Sequence, residues 1–206
     1  MTIEPPITYL ITSGELTQEN FTSRSGDFVR HLAEAAEDGV DIIQIREKAL
    51  SARNLSILSS RLADELKGSR TKLLVDDRAD IAAASGCDGV HLTTRSMSVA
   101  VVREIVGAEA IVSCSTHTLA EVEQASDAGA EIILFGPVFA TPGKGEPVGL
   151  DALADAVHAA GKSQLIALGG IDEQNFIKAL DRGAAGVAAI RSLNERVARR
   201  VIIGGR

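Results

Sequence analysis

The chain has 206 residues, of which 45% are hydrophobic but only 3% aromatic, and its formal net charge is -7. That length suits one domain, residues 1–206, with a sizeable core built from Ala, Ile, Leu, Val and Gly. The acidic balance excludes a general nucleic-acid binder, though not a local basic pocket for phosphate; no apolar run is long enough for a membrane span, and the start MTIEPPITYL lacks the features of a signal peptide.

Taken in order, Thr8 to Ile11 forms a first short strand, and Phe28, Val29, Leu32, Ala35 and Ala36 recur at helical spacing over Ser25 to Asp38. Asp41 to Ile45 is a second strand, followed by a helix capped by Ser51 and running to about Lys67. Lys72 to Val75 is the third strand, Ala79 to Ser85 a short helix, and Gly89 to Leu92 the fourth strand. A helix over Ser98 to Gly107 leads to the fifth strand, Ile111 to Cys114. Thr118 with Glu121 three residues on spells a capping box for a helix ending near Gly129. The continuous apolar run Ile132 to Phe135 is a sixth strand, and Leu150 to Ala160 is helical. Leu165 to Ala167 is the seventh strand. A helix capped by Asp172 runs to Gly183, Val187 to Ile190 is the eighth strand, and a short helix from about Ser192 closes the chain.

Four segments, EDGVDIIQI, ASGCDGVHL, DAGAEIILF and DRGAAGVAA, share one plan: a helix end, a glycine, a small spacer, then a strand. The glycine supplies the left-handed turn that ends a helix. Eight strand–helix units at this chain length predict an α/β fold of the (β/α)₈ TIM-barrel type. The alternative is a doubly wound open sheet, but no Gly-x-Gly-x-x-Gly follows the first strand.

In such barrels the chemistry sits at the C-terminal strand ends. Polar residues collect there. Gln44, Arg46 and Lys48 alternate after the second strand and so share a face; Asp76, Asp77 and Arg78 follow the third, and His91 ends the fourth. Ser115, Thr116, His117 and Thr118 follow the fifth, Gly169-Gly170 the seventh, and Arg191-Ser192 the eighth. After the sixth comes the long loop GPVFATPGKGEPVGL, whose Thr141, Lys144 and bare glycine N–H groups suit an anion. Arg46, Lys48 and Lys144 are placed to converge on one polyanion, with Arg forking onto phosphate oxygens and Lys acting as a point charge. An Asp76-Asp77 pair beside such a site suggests Mg²⁺, although either aspartate would equally serve as a helix cap. The stretch after strands seven and eight is the usual phosphate place in this fold, which predicts a second, single phosphate. Cys87 and Cys114 have no metal-like spacing and are read as reduced core residues of a cytoplasmic protein.

The motifs QIREK (44–48), DDRADIA (76–82), DGVHL (88–92), STHTLAE (115–121), FGPVFATPGK (135–144), PVGL (147–150) and ALGGI (167–171) resemble the thiamine-phosphate synthase/thiazole tautomerase family. The resemblance runs from Tyr9 to Leu193 and implies a (β/α)₈ barrel working in thiamine biosynthesis. The synthase joins a hydroxymethylpyrimidine diphosphate to a thiazole phosphate and releases diphosphate; the tautomerase aromatises the thiazole phosphate. Carried over, the resemblance implies that Gln44, Arg46 and Lys48 hold the pyrimidine diphosphate, with Asp76 beside them and Lys144 closing on it. Asp77 would bind Mg²⁺, Ser115 would face the pyrimidine, and Thr141, Gly170, Ile190 and Arg191 would meet the thiazole phosphate. Arg46, Lys48 and Lys144 would be catalytic in the synthase. Loss of diphosphate would leave a pyrimidine-methyl cation, with these cations stabilising the departing charge.

The chain departs from the synthase pattern in three places. Asp76-Asp77 stands for the usual Asn-Asp. Thr93-Thr94-Arg95-Ser96 replaces a Gly-Gln and acidic pair, which puts Ser96 at the second metal-ligand position. Arg191 replaces a serine. The Thr-Thr-Arg-Ser run is closer to the tautomerase branch, where a histidine at the place of His117 is catalytic. The reading favoured is synthase, a transferase with Mg²⁺ and two small phosphorylated substrates, with neither nucleic acid nor membrane as partner. Tautomerase and a non-catalytic phosphate-ligand-binding homologue are the alternatives, and assembly into a homo-oligomer is left open.

Overall fold

A computed structural model describes residues 3–206; Met1 and Thr2 of the expected domain lie outside them. Eight parallel strands close a barrel in sequence order: β1 (Ile7–Ile11), β2 (Ile42–Ile45), β3 (Lys72–Asp76), β4 (Gly89–Leu92), β5 (Ile111–Thr116), β6 (Ile132–Phe135), β7 (Gln164–Leu168) and β8 (Gly186–Ala189). The helices between them are α1 (Phe21–Glu37), α2 (Ala52–Glu65), α3 (Ala79–Ala84), α4 (Val99–Val106), α5 (Leu119–Asp127), α6 (Gly149–Ala159) and α7 (Phe176–Leu180). Two more, α8 (Arg191–Asn194) and α9 (Arg196–Gly204), end the chain. Among the described residues no helix is long and apolar enough to cross a membrane.

Successive strand residues face opposite ways, so each strand feeds two cores. Leu10, Ile43, Val75, Val90, Val112 and Ile133 pack outward against the helices. Tyr9, Ile42, Leu74, Ile111, Ile132, Leu134, Ile166 and Ala188 pack inward and fill the barrel. Followed up the barrel at every second residue, the inward set turns from apolar to polar: Ile42 then Gln44, Leu74 then Asp76, Ile111 then Ser113 then Ser115. The barrel is therefore a sealed apolar floor beneath a polar mouth.

The repeated segments end where expected. Gly39, Gly86, Gly129 and Gly183 have φ of 103°, 73°, 86° and 89°, the left-handed turn at each helix end. The spacer residue before the strand has a job of its own. Asp41, Asp88 and Glu131 each accept an N–H near the start of the preceding strand, from Thr8 (2.8 Å), Leu73 (2.9 Å) and Val112 (2.8 Å). Each carboxylate also pairs with a cation, Arg206, Lys72 and Arg103 respectively. This ring at the strand N-termini belongs to stability, as that face does in this fold.

Ser51, Ser98 and the Thr118–Glu121 capping box cap α2, α4 and α5. Four of the departures from the expected boundaries have a visible cause. α1 starts at Phe21 rather than Ser25, because Thr17 and Asn20 bond each other's N–H groups and Phe21 buries its ring. β5 runs two residues further, to Thr116, held by its partners Leu134 and Phe135. α7 starts only after Asn175, since Asp172 spends its carboxylate on the N–H of Gln174 and shapes a turn, not a cap. The closing helix is split in two by Glu195, whose extended backbone ends α8 and whose carboxylate caps α9.

Candidate active site

A cavity of about 1000 Å³ opens at the C-terminal strand ends. Gln44, Arg46, Lys48, Asp76, Asp77, Ser115, His117, Thr141, Lys144, Gly170, Ile190 and Arg191 all line it. Ser96 does not. Its hydroxyl accepts the N–H of Thr93 at 2.8 Å and lies 3.1 Å from Thr93 Oγ1, closing the turn after β4, while Thr93, Thr94 and Arg95 face the cavity. The structure thus commits to the loop the hydroxyl expected to bind metal.

Why Gln44, Arg46 and Lys48 share the mouth is settled by the residue between the last two. Glu47 is buried and turns the other way, accepting from Thr12 Oγ1 (2.6 Å), Gly14 N (3.0 Å) and Leu16 N (2.7 Å). It staples the loop after β1 to the end of β2. Its alternation with the cavity residues was available in the motif, but nothing in a single sequence shows that a charged residue there is buried.

Gln44 donates Nε2–H to Asp76 Oδ1 at 2.8 Å, and Lys48 Nζ lies 3.4 Å from Asp76 Oδ2. An ionised carboxylate only accepts, so this contact fixes the orientation of the Gln44 amide. Its Oε1 is buried and has no partner among the described residues. An acceptor left so is costly unless a ligand supplies a donor. Burial pushes the Asp76 carboxyl above the usual carboxylate range, against the pull of Lys48 and Arg46.

Neither aspartate caps α3, whose first turn is preceded by Arg78 with no side-chain cap. Asp77 instead holds a left-handed backbone, φ 63°, with its N–H donated to His91 O at 2.8 Å. Strain of this kind in a non-glycine residue gathers at functional sites. Its carboxylate makes no hydrogen bond among the described residues.

His117 donates Nδ1–H to the carbonyl of Gly136, since a carbonyl oxygen only accepts. Its Nε2 is thereby the unprotonated nitrogen of the neutral ring. Thr141 donates its hydroxyl to Phe139 O (3.0 Å), and the N–H of Lys144 returns to Thr141 O (3.1 Å), so a tight turn carries the lysine to the cavity edge.

The opposite end of the cavity is made of backbone. Gly170 has φ 64°, and a Cβ there would stand 2.6 Å from Ala140 O and 2.8 Å from Phe139 Cβ. Only glycine lets the strand ends approach so closely. Asn175 Nδ2 donates to Gly170 O (2.8 Å) and Ser192 Oγ to Ile171 O (2.8 Å), which ties those carbonyls to the starts of α7 and α8. Arg46 and Lys48 thus stand after β2 and a glycine-built cradle after β7, with Lys144 on the loop after β6 and Arg191 after β8.

His91, noted in the sequence as a polar strand end, proves to be buried and to line the cavity. Its Nε2 lies 2.8 Å from Ser115 Oγ and its Nδ1 3.0 Å from Ser113 Oγ. Burial holds it neutral, its pKa lowered to about 3.

A family described as thiamine monophosphate synthase matches residues 8–193. The chain is 37% identical over 173 residues to a thiamine-phosphate synthase of Acidothermus cellulolyticus, covering 82% of each chain. It is 34% identical over 193 residues to a thiamine-phosphate synthase of Haloarcula marismortui, covering 91% of this chain and 88% of that one. Its fold is similar to a solved thiamine phosphate pyrophosphorylase from Pyrococcus furiosus, with a TM-score of 0.82 and 29% identity over 96% of this chain and 94% of that one.

Proposed function

The chain belongs to the thiamine monophosphate synthase family, and we propose that its cavity joins a hydroxymethylpyrimidine diphosphate to a thiazole phosphate, as a thiamine-phosphate synthase. The observation that carries this reading is the division of one cavity into a cationic rim and a glycine-built cradle, which suits a diphosphate at one end and a single phosphate at the other.

Arg46, Lys48 and Lys144 grip the diphosphate from the ends of β2 and from the loop after β6. When the C–O bond breaks, its electron pair leaves with the diphosphate, and these cations meet the charge as it develops. The pyrimidine-methyl cation that remains is closed by the thiazole nitrogen, held in line by Gly170, Ile190, Arg191 and Thr141 on the thiazole phosphate. The sealed apolar floor keeps water from competing for that cation.

The residues also fit Mg²⁺. That ion takes one or two carboxylates together with substrate phosphate oxygens, and Asp77 offers an uncommitted carboxylate beside the diphosphate end, with Asp76 behind it. Ser96 is left out, its hydroxyl being spent on Thr93. When bound, Mg²⁺ supplies further positive charge to the departing diphosphate. Cys87 and Cys114 are unpaired, which suits a reducing compartment, and the proposal places the enzyme in the cytoplasm.

A second reading rests on His117. With Nδ1–H held by Gly136 O, Nε2 is ready to accept a proton, as a thiazole tautomerase requires. The two readings separate by calorimetry with inorganic diphosphate and Mg²⁺. The synthase predicts binding that weakens about tenfold or more in Arg46→Ala and Lys48→Ala, since charge-assisted phosphate contacts are the strong ones. Indifference of both variants would remove the synthase reading.

A further inference from the structure

Ser115 faces the cavity, and among the described residues its hydroxyl has a single side-chain partner, His91 Nε2. Whether that hydroxyl offers a ligand its proton or its lone pairs depends on which nitrogen of His91 is protonated. The environment beneath the ring answers the question by counting protons.

His91 Nδ1 is met by two buried hydroxyls, Ser113 Oγ at 3.0 Å and Tyr9 Oη at 3.4 Å. Tyr9 and Ser113 are fully buried, and each hydroxyl brings one proton. Both hydroxyls converge on Nδ1, and neither reaches a carbonyl or carboxylate among the described residues. If Nδ1 carried a proton, it would face two oxygens, and buried hydroxyl protons would be left unpaired in the barrel core. With Nδ1 bare, its lone pair is the acceptor on which the two hydroxyls converge. A stranded buried donor costs more than a well-made bond contributes.

A neutral ring with a bare Nδ1 carries its proton on Nε2. Nε2–H then occupies a lone pair of Ser115 Oγ and turns the serine's own proton into the cavity. We infer that the buried chain Tyr9–Ser113–His91 positions Ser115 as an obligate donor, so that the cavity selects a heterocycle presenting an acceptor ring nitrogen at that point. Tyr9, Ser113 and His91 are positioning residues, acting through Ser115. That the heterocycle is the pyrimidine rests on the synthase reading above; the polarity of Ser115 does not. Burial around His91 disfavours the imidazolium.

Two experiments on the full chain test this. Long-range proton–nitrogen correlation spectra of protein labelled with ¹⁵N-histidine read the tautomer directly, with His91 assigned by the signal missing from His91→Gln. A protonated Nε2 and bare Nδ1 are expected; a protonated Nδ1, or an imidazolium at neutral pH, overturns the inference. This readout needs no turnover, so it stands even if the synthase reading fails. The kinetic arm is a cycle of Ser115→Ala against the paired variant Tyr9→Phe/Ser113→Ala. The pair removes both protons that hold Nδ1 bare, whereas either change alone leaves one in place. The pair is expected to raise KM for the pyrimidine diphosphate roughly fivefold, the worth of about one hydrogen bond, with KM for the thiazole phosphate unchanged. In the Ser115→Ala background the same change should cost nothing further. Independent, additive effects of the two variants would contradict a chain that acts through Ser115.

Discussion

Asp76 is the residue whose environment argues most against its own charge. The family's synthases usually carry asparagine there, and this chain has a carboxylate that is buried, bonded by Gln44 and approached by Lys48. Burial nevertheless wins and raises its pKa. An acid whose pKa is raised on folding binds its proton more tightly in the native state than in the unfolded chain. Its ionisation therefore subtracts stability as pH rises from the unfolded value through the folded one, and the loss persists above. An asparagine side chain at this position would still accept from Gln44 Nε2 through its amide oxygen. Asp76→Asn is thus expected to raise Tm at neutral pH, with the gain shrinking as pH falls from the raised folded value to the ordinary carboxylate value and gone below it. Thermal melts across that range check it, and a variant less stable than the parent at pH 7 would show that the Lys48 pairing outweighs burial. The same residue shows what the sequence holds and withholds. The DD pair announced a charged site after β3, but its two members proved unlike. Asp76 is tied into the barrel and Asp77 is strained and uncommitted, a difference set by backbone angles and by neighbours from β2 and β4.

At the scale of elements, the strand ends and their glycines were legible because they follow local rules: a left-handed turn after a helix, a capping box, a period of two. Lys48 and Lys144 were expected at one end of the barrel and are found lining one cavity. What escaped were long-range pairings. Glu47 inside QIREK holds the loop after β1, and Tyr9 and Ser113 meet under His91, through contacts between residues 22 to 82 positions apart in the chain. The split of the last helix escaped for the same reason. Arg199 on α9 is fully buried and bonds Asp38 beside α1 at 2.7 Å, where Arg196 and Arg200 also converge. Arg196 and Arg200 stay on Asp38 when Arg199 is removed, so Arg199→Ala loses a buried stem and leaves Leu193 O without its donor, an expected cost of about 1–3 kcal/mol. Chemical denaturation measures it; a loss below about 1 kcal/mol, the worth of a surface pair, would mean that α9 is not latched this way. At the glycine-built cradle, Gly170→Ala meets both a left-handed backbone and a carbonyl at 2.6 Å. Its expected result is a raised KM for the thiazole phosphate, with KM for the pyrimidine diphosphate much less affected. Equal changes in both would signal general unfolding of the strand ends instead.

The whole molecule is a barrel whose two faces do separate work. Carboxylates at the strand N-termini tie neighbouring strands together, and the C-terminal mouth gathers the cations, the two aspartates and the glycine cradle. Fold and family were readable from the eight units and the motifs, whereas the chemistry between synthase and tautomerase was not, since both draw on the same mouth. Ser96, at the position expected for a second metal ligand, closes a turn, so on the proposed reading Asp77 would be the principal carboxylate for Mg²⁺, and the metal is expected to bind weakly until the diphosphate adds its own oxygens. The most direct measurement mixes the purified protein with both substrates, with and without millimolar Mg²⁺, and follows diphosphate and thiamine phosphate together. Metal-dependent release of the two products in equal amounts is expected, abolished in Lys144→Ala and largely retained in His117→Ala. Absence of diphosphate at every Mg²⁺ concentration, with aromatisation of the thiazole that is lost in His117→Ala, would contradict the synthase.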